Sequence, residues 1–371
     1  MKPLDLSRLK VFPLEKRDSL TGVEDLLRNP DVVPPAASDV CGKIIADCAE
    51  KIRAARERGA AVMLIYGAHL LRNGAALLID RLLAGGWITH LATNGAGSIH
   101  DWEYAWLGRS TESVERGVAA GNFGTWDETG RNIHLALLVG GLREEGYGTA
   151  LGRFICEDGA ELPNLADLAA SIQIAPAAPL TPARADLLRA MREHRLRSGR
   201  HAVTHRWKHA SILAHAFRHG VPITVHPGIG YDIVACHPMF DGAAIGRAAD
   251  LDFRKFAGSV DELDGGVVLS IGSAIMGPQV FEKSLSCVHN LRFQQGRPVV
   301  SGHTIYVVDL QDGGGWDWTT GEPPKTNPAY YLRFCKSYSR MGGTMHYVQH
   351  DNAAFVHALC HALCGGKPAA D

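Results

Sequence analysis

Apolar positions in the chain gather into short unbroken runs, the pattern of strands buried on both faces, with longer helical repeats between them. Residues 61–66 are the first such strand. Gly67-Ala68-His69 makes a tight turn, residues 72–83 a helix ended by Gly85-Gly86, and residues 88–93 a second strand. Strand, turn, helix and strand in this order form a βαβ unit. The pattern predicts a doubly wound α/β fold, Rossmann-like, with a mostly parallel sheet and helices on both faces. The alternation resumes at residue 210 with a helix to His219 and a strand at 223–225 entering the loop from His226 to Asp232. Later strands at 266–271 and 304–310 run into Gly272-Ser273-Ala274 and a Gly- and Trp-rich loop at 312–328. The last helix runs from near Asp351 to Gly365-Gly366. In such a sheet the C-terminal strand ends hold the site.

Proline at positions 3, 13, 30, 34 and 35 interrupts residues 1–38, which are expected to form an extended arm wrapping a neighbouring element or another subunit. Asp39 is placed to cap a helix at 40–58 closed by Gly59. The remainder, 39–371, reads as one domain with a helical insertion at about 160–205. Within the insertion, 163–182 has the Ala/Pro composition of a linker, and the arginines from Arg184 to Arg200 form a solvated face.

The 371 residues are 46% hydrophobic and 21% charged, which excludes disorder and coiled coil as whole-chain descriptions. With 38 basic and 39 acidic residues the net charge is −1, so composition carries no footprint for nucleic acid or an anionic membrane. No run approaches the roughly 18 apolar residues of a membrane span, and the first residues lack a secretory apolar segment; a cytoplasmic location is expected. Eight scattered cysteines without a CxxC pair point to free thiols.

Candidate chemistry lies at the strand ends. Small residues allow backbone to approach a phosphate, which makes Gly67, Ala68, Thr93, Asn94, Gly95, Gly97, Gly272 and Ser273 the candidate lining for a dinucleotide, NAD, although the spacing is not G-x-G-x-x-G. The stretch from Thr93 to Glu103 is expected as a loop leading into a helix. His100 and Asp232 are acid/base or substrate-orienting candidates, histidine needing little tuning to work near neutrality. Lys336, set among aromatics, is a candidate nucleophilic amine. Asp317, Trp318 and Glu322 combine carboxylates with an aromatic face suited to a cationic amine. His226, Asp232 and His237 support a competing reading as a metal-dependent hydrolase, although neither H-E-x-x-H nor H-x-H occurs. His357, Cys360, His361 and Cys364 share one helical face and suit packing better than tetrahedral ligation.

Four stretches, in order, resemble the deoxyhypusine synthase family, which includes homospermidine synthases: residues 66–101, 220–232, 266–273, and 309–336 with the closing helix. The resemblance implies bound NAD taking hydride from an amine carbon to give an imine, with sites between subunits of a dimer or tetramer. It sets Lys336 near the family's active-site lysine, and Asp101, beside His100, at the family's acidic pair. His100 replaces one of those acids, which counts against spermidine itself. The stretch ending His100-Asp101-Trp102-Glu103 also resembles archaeal-type NAD-dependent ornithine cyclodeaminases, in which transient oxidation precedes ring closure with loss of ammonia. Together these imply an NAD-dependent transferase or lyase acting on a small amine or amino acid; a nucleotide-binding relative without catalysis is the other outcome.

Overall fold

The computed structural model describes residues 2–365. Its main sheet has six strands: β1 Val62–Tyr66, β2 His90–Asn94, β3 Ile223–His226, β4 Val267–Ile271, β5 Thr304–Asp309 and β6 Thr344–Gln349. They lie in the order β3-β2-β1-β4-β5-β6, and every neighbouring pair is parallel. This is the doubly wound, Rossmann-like arrangement. The order reverses between β1 and β4, so the chain leaves these two strands toward opposite sides and a crevice opens at their C-terminal ends. Register aligns those ends: Tyr66 pairs with Thr93 on one side and Ile271 on the other, and Asn94 pairs with His226.

Alternation along each central strand builds two cores. Val62, Leu64 and Tyr66 of β1, with Val267, Leu269 and Ile271 of β4, pack against the Asp39–Glu57, Ala76–Ala84 and Asn352–Cys364 helices. Met63, Ile65, Val268, Ile305 and Val307 face the Gly242–Asp261, Met276–Gln294 and Arg333–Ser339 helices. Strands covered on both sides have no polar face, which is why they appear in the sequence as unbroken apolar runs.

Several local expectations are corrected. The helix expected at 72–83 is two, Ala68–Arg72 and Ala76–Ala84, because the arm docks at the break: Arg28 N–H donates to the Gly74 carbonyl at 3.0 Å and its Nε to the Asn73 carbonyl at 3.0 Å. The first long helix is capped by Ser38, which accepts from Cys41 N–H, and Asp39 is its first residue. The stretch given as a linker contains the Leu165–Ile174 helix, capped by Asn164, and Pro182 sits in the first turn of the Thr181–Glu193 helix, where a missing N–H costs nothing. A two-stranded antiparallel ribbon, Gly159–Leu162 with Gly199–Ala202, frames this insertion. Strand β6 carries no apolar run and was not expected; it lies at a sheet edge, where mixed sequence suffices. The last helix is Asn352–Cys364, capped by Asp351, and Gly366 lies outside the described residues.

The arm lies along its own chain. Phe12 bridges Trp126, Leu14 N–H donates to Glu128 at 2.7 Å, and Thr21–Gly22 pairs antiparallel with Arg109–Ser110. Among the described residues no helix is long and apolar enough to cross a membrane. All eight cysteines are free thiols.

Candidate active site

Beyond the C-terminal ends of β1, β2 and β3 lies a cavity of about 260 Å³ whose titratable lining is Arg17, Arg72, His100, Glu103, Glu112 and Asp232. They are brought together by several separate elements. Asn94 ends β2 in extended backbone, and its side chain accepts from Gly97 N–H at 2.9 Å. That cap starts the Gly95–Leu107 helix at once, so the expected loop is helix. Helical spacing then puts Ala96, Ile99, His100 and Glu103 on the face that lines the cavity.

Asp101 points elsewhere. Wholly buried, it accepts from the Ser211 hydroxyl and from Ile212 N–H (2.7 Å) and Leu213 N–H (3.3 Å), anchoring the start of the Ile212–Arg218 helix. Burial pushes it up to about 7, against those three donors. It is a structural anchor and does not line the cavity.

Glu103 is the hub of a buried network. Arg17, brought in by the arm, makes a two-pronged ion pair with it (2.8 Å each), and the Ser110 and Thr129 hydroxyls also donate. Burial acts to raise Glu103, but the Arg17 charge and hydrogen bonds, together with His100 and the Ser110 hydroxyl, outweigh it and hold the acid below its usual range. Ser110 has one hydroxyl proton, given to Glu103, so His100 must donate its Nδ1–H to Ser110 Oγ, 2.7 Å away. Nε2 is therefore the unprotonated nitrogen. Burial pushes His100 down to about 4, against the pull of Glu103, so the ring is neutral at pH 7.

Asp232 sits over the first residue of the same helix. A Cβ on Gly95 would collide with its carboxylate, and Asp232 accepts from Gly228 N–H at 2.7 Å. Burial raises it to about 6, against that hydrogen bond. Arg72 ends the short helix after β1; its Nε is buried without a partner, and among the described residues it forms no ion pair. A half-buried, uncommitted guanidinium facing a cavity fits a carboxylate or phosphate.

The candidate dinucleotide residues divide into two groups. Gly67 and Gly272 meet backbone to backbone at the β1/β4 crevice: a Cβ on Gly67 would collide with the Gly272 carbonyl. Gly272 has φ +60°, and a Cβ there would lie 2.5 Å from Asn352 Nδ2. Asn352 Oδ1 is buried there without a partner, and Ser273 accepts from Gly277 N–H at 3.1 Å. The glycines let the two strand ends touch, and beside them the Asn352 carboxamide oxygen is left without a partner. Ala68 is the first residue of the helix after Gly67. Thr93, Asn94, Gly95 and Gly97 serve the turn itself: Thr93 donates to the Tyr66 carbonyl at 3.0 Å, and a Cβ on Gly97 would collide with the Thr93 hydroxyl.

The other sequence candidates lie outside the cavity. Lys336 places its ammonium 3.8 Å from the Tyr330 ring centroid. Glu322 is held two-pronged by Arg340 (2.7 Å each), Trp318 is buried in the second core, and Asp317 caps the turn at Thr319. His226 shares Thr224 with His90 and meets the Phe256 ring edge-on, whereas His237 stacks on His134 and faces Asp127. Among the described residues no group of three or more His, Cys, Asp or Glu side chains could hold a metal. Arg17 and Arg72 were not among the sequence candidates. Arg17 is far from the helix it serves, and Arg72 shows only as one basic residue in an apolar helix.

No family model matches the chain, and no curated protein matches it in sequence. Solved structures align with 90% of it: unliganded AgrE (13% identity, TM-score 0.43, 34% of AgrE covered) and AgrE in ternary complex with ornithine and NAD+ (13%, 0.42, 34%). A protein of LOR/SDH type from Methanococcus maripaludis S2 also aligns (13%, 0.42, 73% of that chain covered). The chain thus spans about a third of the length of AgrE.

Proposed function

We propose that the protein is an NAD-dependent enzyme that transiently oxidises a small amino acid or amine to an imine. The observation that carries this reading is the cavity beside the crevice, where uncommitted Arg72, neutral His100 and Asp232 share one wall system. Gly67, Gly272, Ser273 and Asn352 would hold the dinucleotide, which when bound supplies the hydride acceptor. Arg72 holds the substrate carboxylate. Asp232, ionised above pH about 6, holds an ammonium group. His100 Nε2 takes the proton from the amine nitrogen as the carbon loses hydride, with Ser110 and Glu103 fixing the tautomer that makes this possible. Attack on the imine by a second amine gives a transferase, as the deoxyhypusine synthase resemblance implies. Intramolecular attack with loss of ammonia gives a cyclodeaminase. The cavity volume and one uncommitted arginine favour a compact amino acid such as ornithine over a long polyamine.

The test is turnover of ornithine, putrescine and spermidine with NAD+, following transient absorbance near 340 nm. Ornithine turnover lost in His100→Asn with NAD+ affinity retained supports the assignment. Full turnover in that variant removes His100 from the reaction.

A further inference from the structure

A second cavity, of about 500 Å³, lies one helical turn beyond Glu103, where Trp106 and Leu107 end the Gly95–Leu107 helix. No strand of the main sheet contributes to its lining, and the proposed reaction uses none of its residues. Asn132, on the Asp127–Gly141 helix, lines it and is only 2% exposed, yet its Oδ1 has no hydrogen-bond partner. Arg131 Nε, next to it, is likewise buried and unpartnered. Buried polar atoms are rarely left unpaired, and these two belong to side chains lining one cavity.

Two basic and two acidic side chains line the cavity around Asn132: Arg131, which also pairs with Asp127 at 2.9 Å, and Arg206 stand with Glu15 and Glu128, and among the described residues neither Arg206 nor Glu15 makes an ion pair. A phosphate or nucleotide would meet the two glutamates, and a free polyamine the two arginines. A zwitterion satisfies both pairs. Two indoles contribute to the rest of the wall, Trp106, stacked on Trp102 at 5.5 Å and 14°, and Trp207, alongside Leu107, Val203 and His201. Such surfaces suit an apolar or aromatic side chain.

From this arrangement we infer that the cavity binds a free α-amino acid with an apolar or aromatic side chain, as an effector. Its carboxylate lies toward Arg131 and Arg206 and its ammonium toward Glu15 and Glu128, with the Asn132 carboxamide bridging. Coupling to the other cavity follows from the chain. Glu15 is two residues before Arg17, and Glu128 adjoins Thr129, which donates to Glu103 at 2.9 Å. An occupant drawing on Glu15 and Glu128 acts on both elements that hold the Arg17–Glu103 pair.

Calorimetric titration of the full chain with each common free L-amino acid, inorganic phosphate and AMP tests this without reference to any reaction. The expected result is saturable binding of one or more apolar amino acids, weakened at least tenfold by Asn132→Ala and by Arg206→Gln, and unchanged in Arg72→Gln. Arg206 is exposed, so its variant keeps the fold and decides the matter if Asn132→Ala does not. Absence of amino-acid binding, binding of phosphate or AMP alone, or loss of binding in Arg72→Gln would each overturn the inference.

Discussion

The two halves of the sheet treat their charged residues differently. Over β1–β3, Arg72 has no partner, Asp232 is raised to about 6, and His100 is held neutral with a defined tautomer. Beyond β4–β6, the acidic and aromatic loop has the more suggestive composition, but its groups are already employed: Glu322 by Arg340, Asp317 as a cap, Trp318 in the core and Lys336 on Tyr330. A charge that is partly desolvated and uncommitted holds binding capacity in reserve. A charge already paired at the surface holds none.

That contrast can be broken by mutation. His100→Asn should lower turnover by about 10²–10⁴-fold, the usual range for removing a general base, with the melting temperature little changed. Arg17→Ala should destabilise the fold by about 3–5 kcal/mol, measured by urea unfolding, because it leaves Glu103 buried without its counter-charge. Arg340→Ala, which removes the exposed partner of Glu322, should leave the unfolding midpoint almost unchanged in the same assay.

The pH dependence sharpens the comparison. The Asp232 carboxyl gains its proton as pH falls through about 6 and then carries no charge for an ammonium group. Affinity for a cationic substrate should therefore fall about tenfold per pH unit below 6, and this dependence should vanish in Asp232→Asn. His100, titrating near 4, stays neutral across that range and adds no slope above pH 5. Least affected should be Lys336→Ala and Glu322→Gln, each changing kcat/KM by less than about twofold; a loss comparable to that of His100→Asn would move the site to the other half of the sheet.

The parallel sheet was legible because strands buried on both faces leave unbroken apolar runs, as 61–66 does. Strand β6 was not, since an edge strand needs no such run. His100 and Asp232 stood out as titratable residues next to strand ends. Asp101 stood out equally, and only helical phase separates it from His100: one residue on, the side chain turns from the cavity to cap another helix. Arg17 reaches Glu103 across 86 residues, a distance no local motif spans. Pairing likewise distinguishes Arg72 from Arg340, and pairing is a tertiary property.

If Gly67, Gly272, Ser273 and Asn352 at the β1/β4 switch point hold a dinucleotide, as proposed above, the protein binds NAD+ in the absence of any second substrate. Calorimetric titration of the protein with NAD+ tests it most directly. The expected result is saturation at one NAD+ per chain, with affinity greatly reduced when Gly272→Val drives a side chain into Asn352 in a variant that still unfolds cooperatively. No binding by the wild-type protein, or binding unaffected by Gly272→Val, would contradict it.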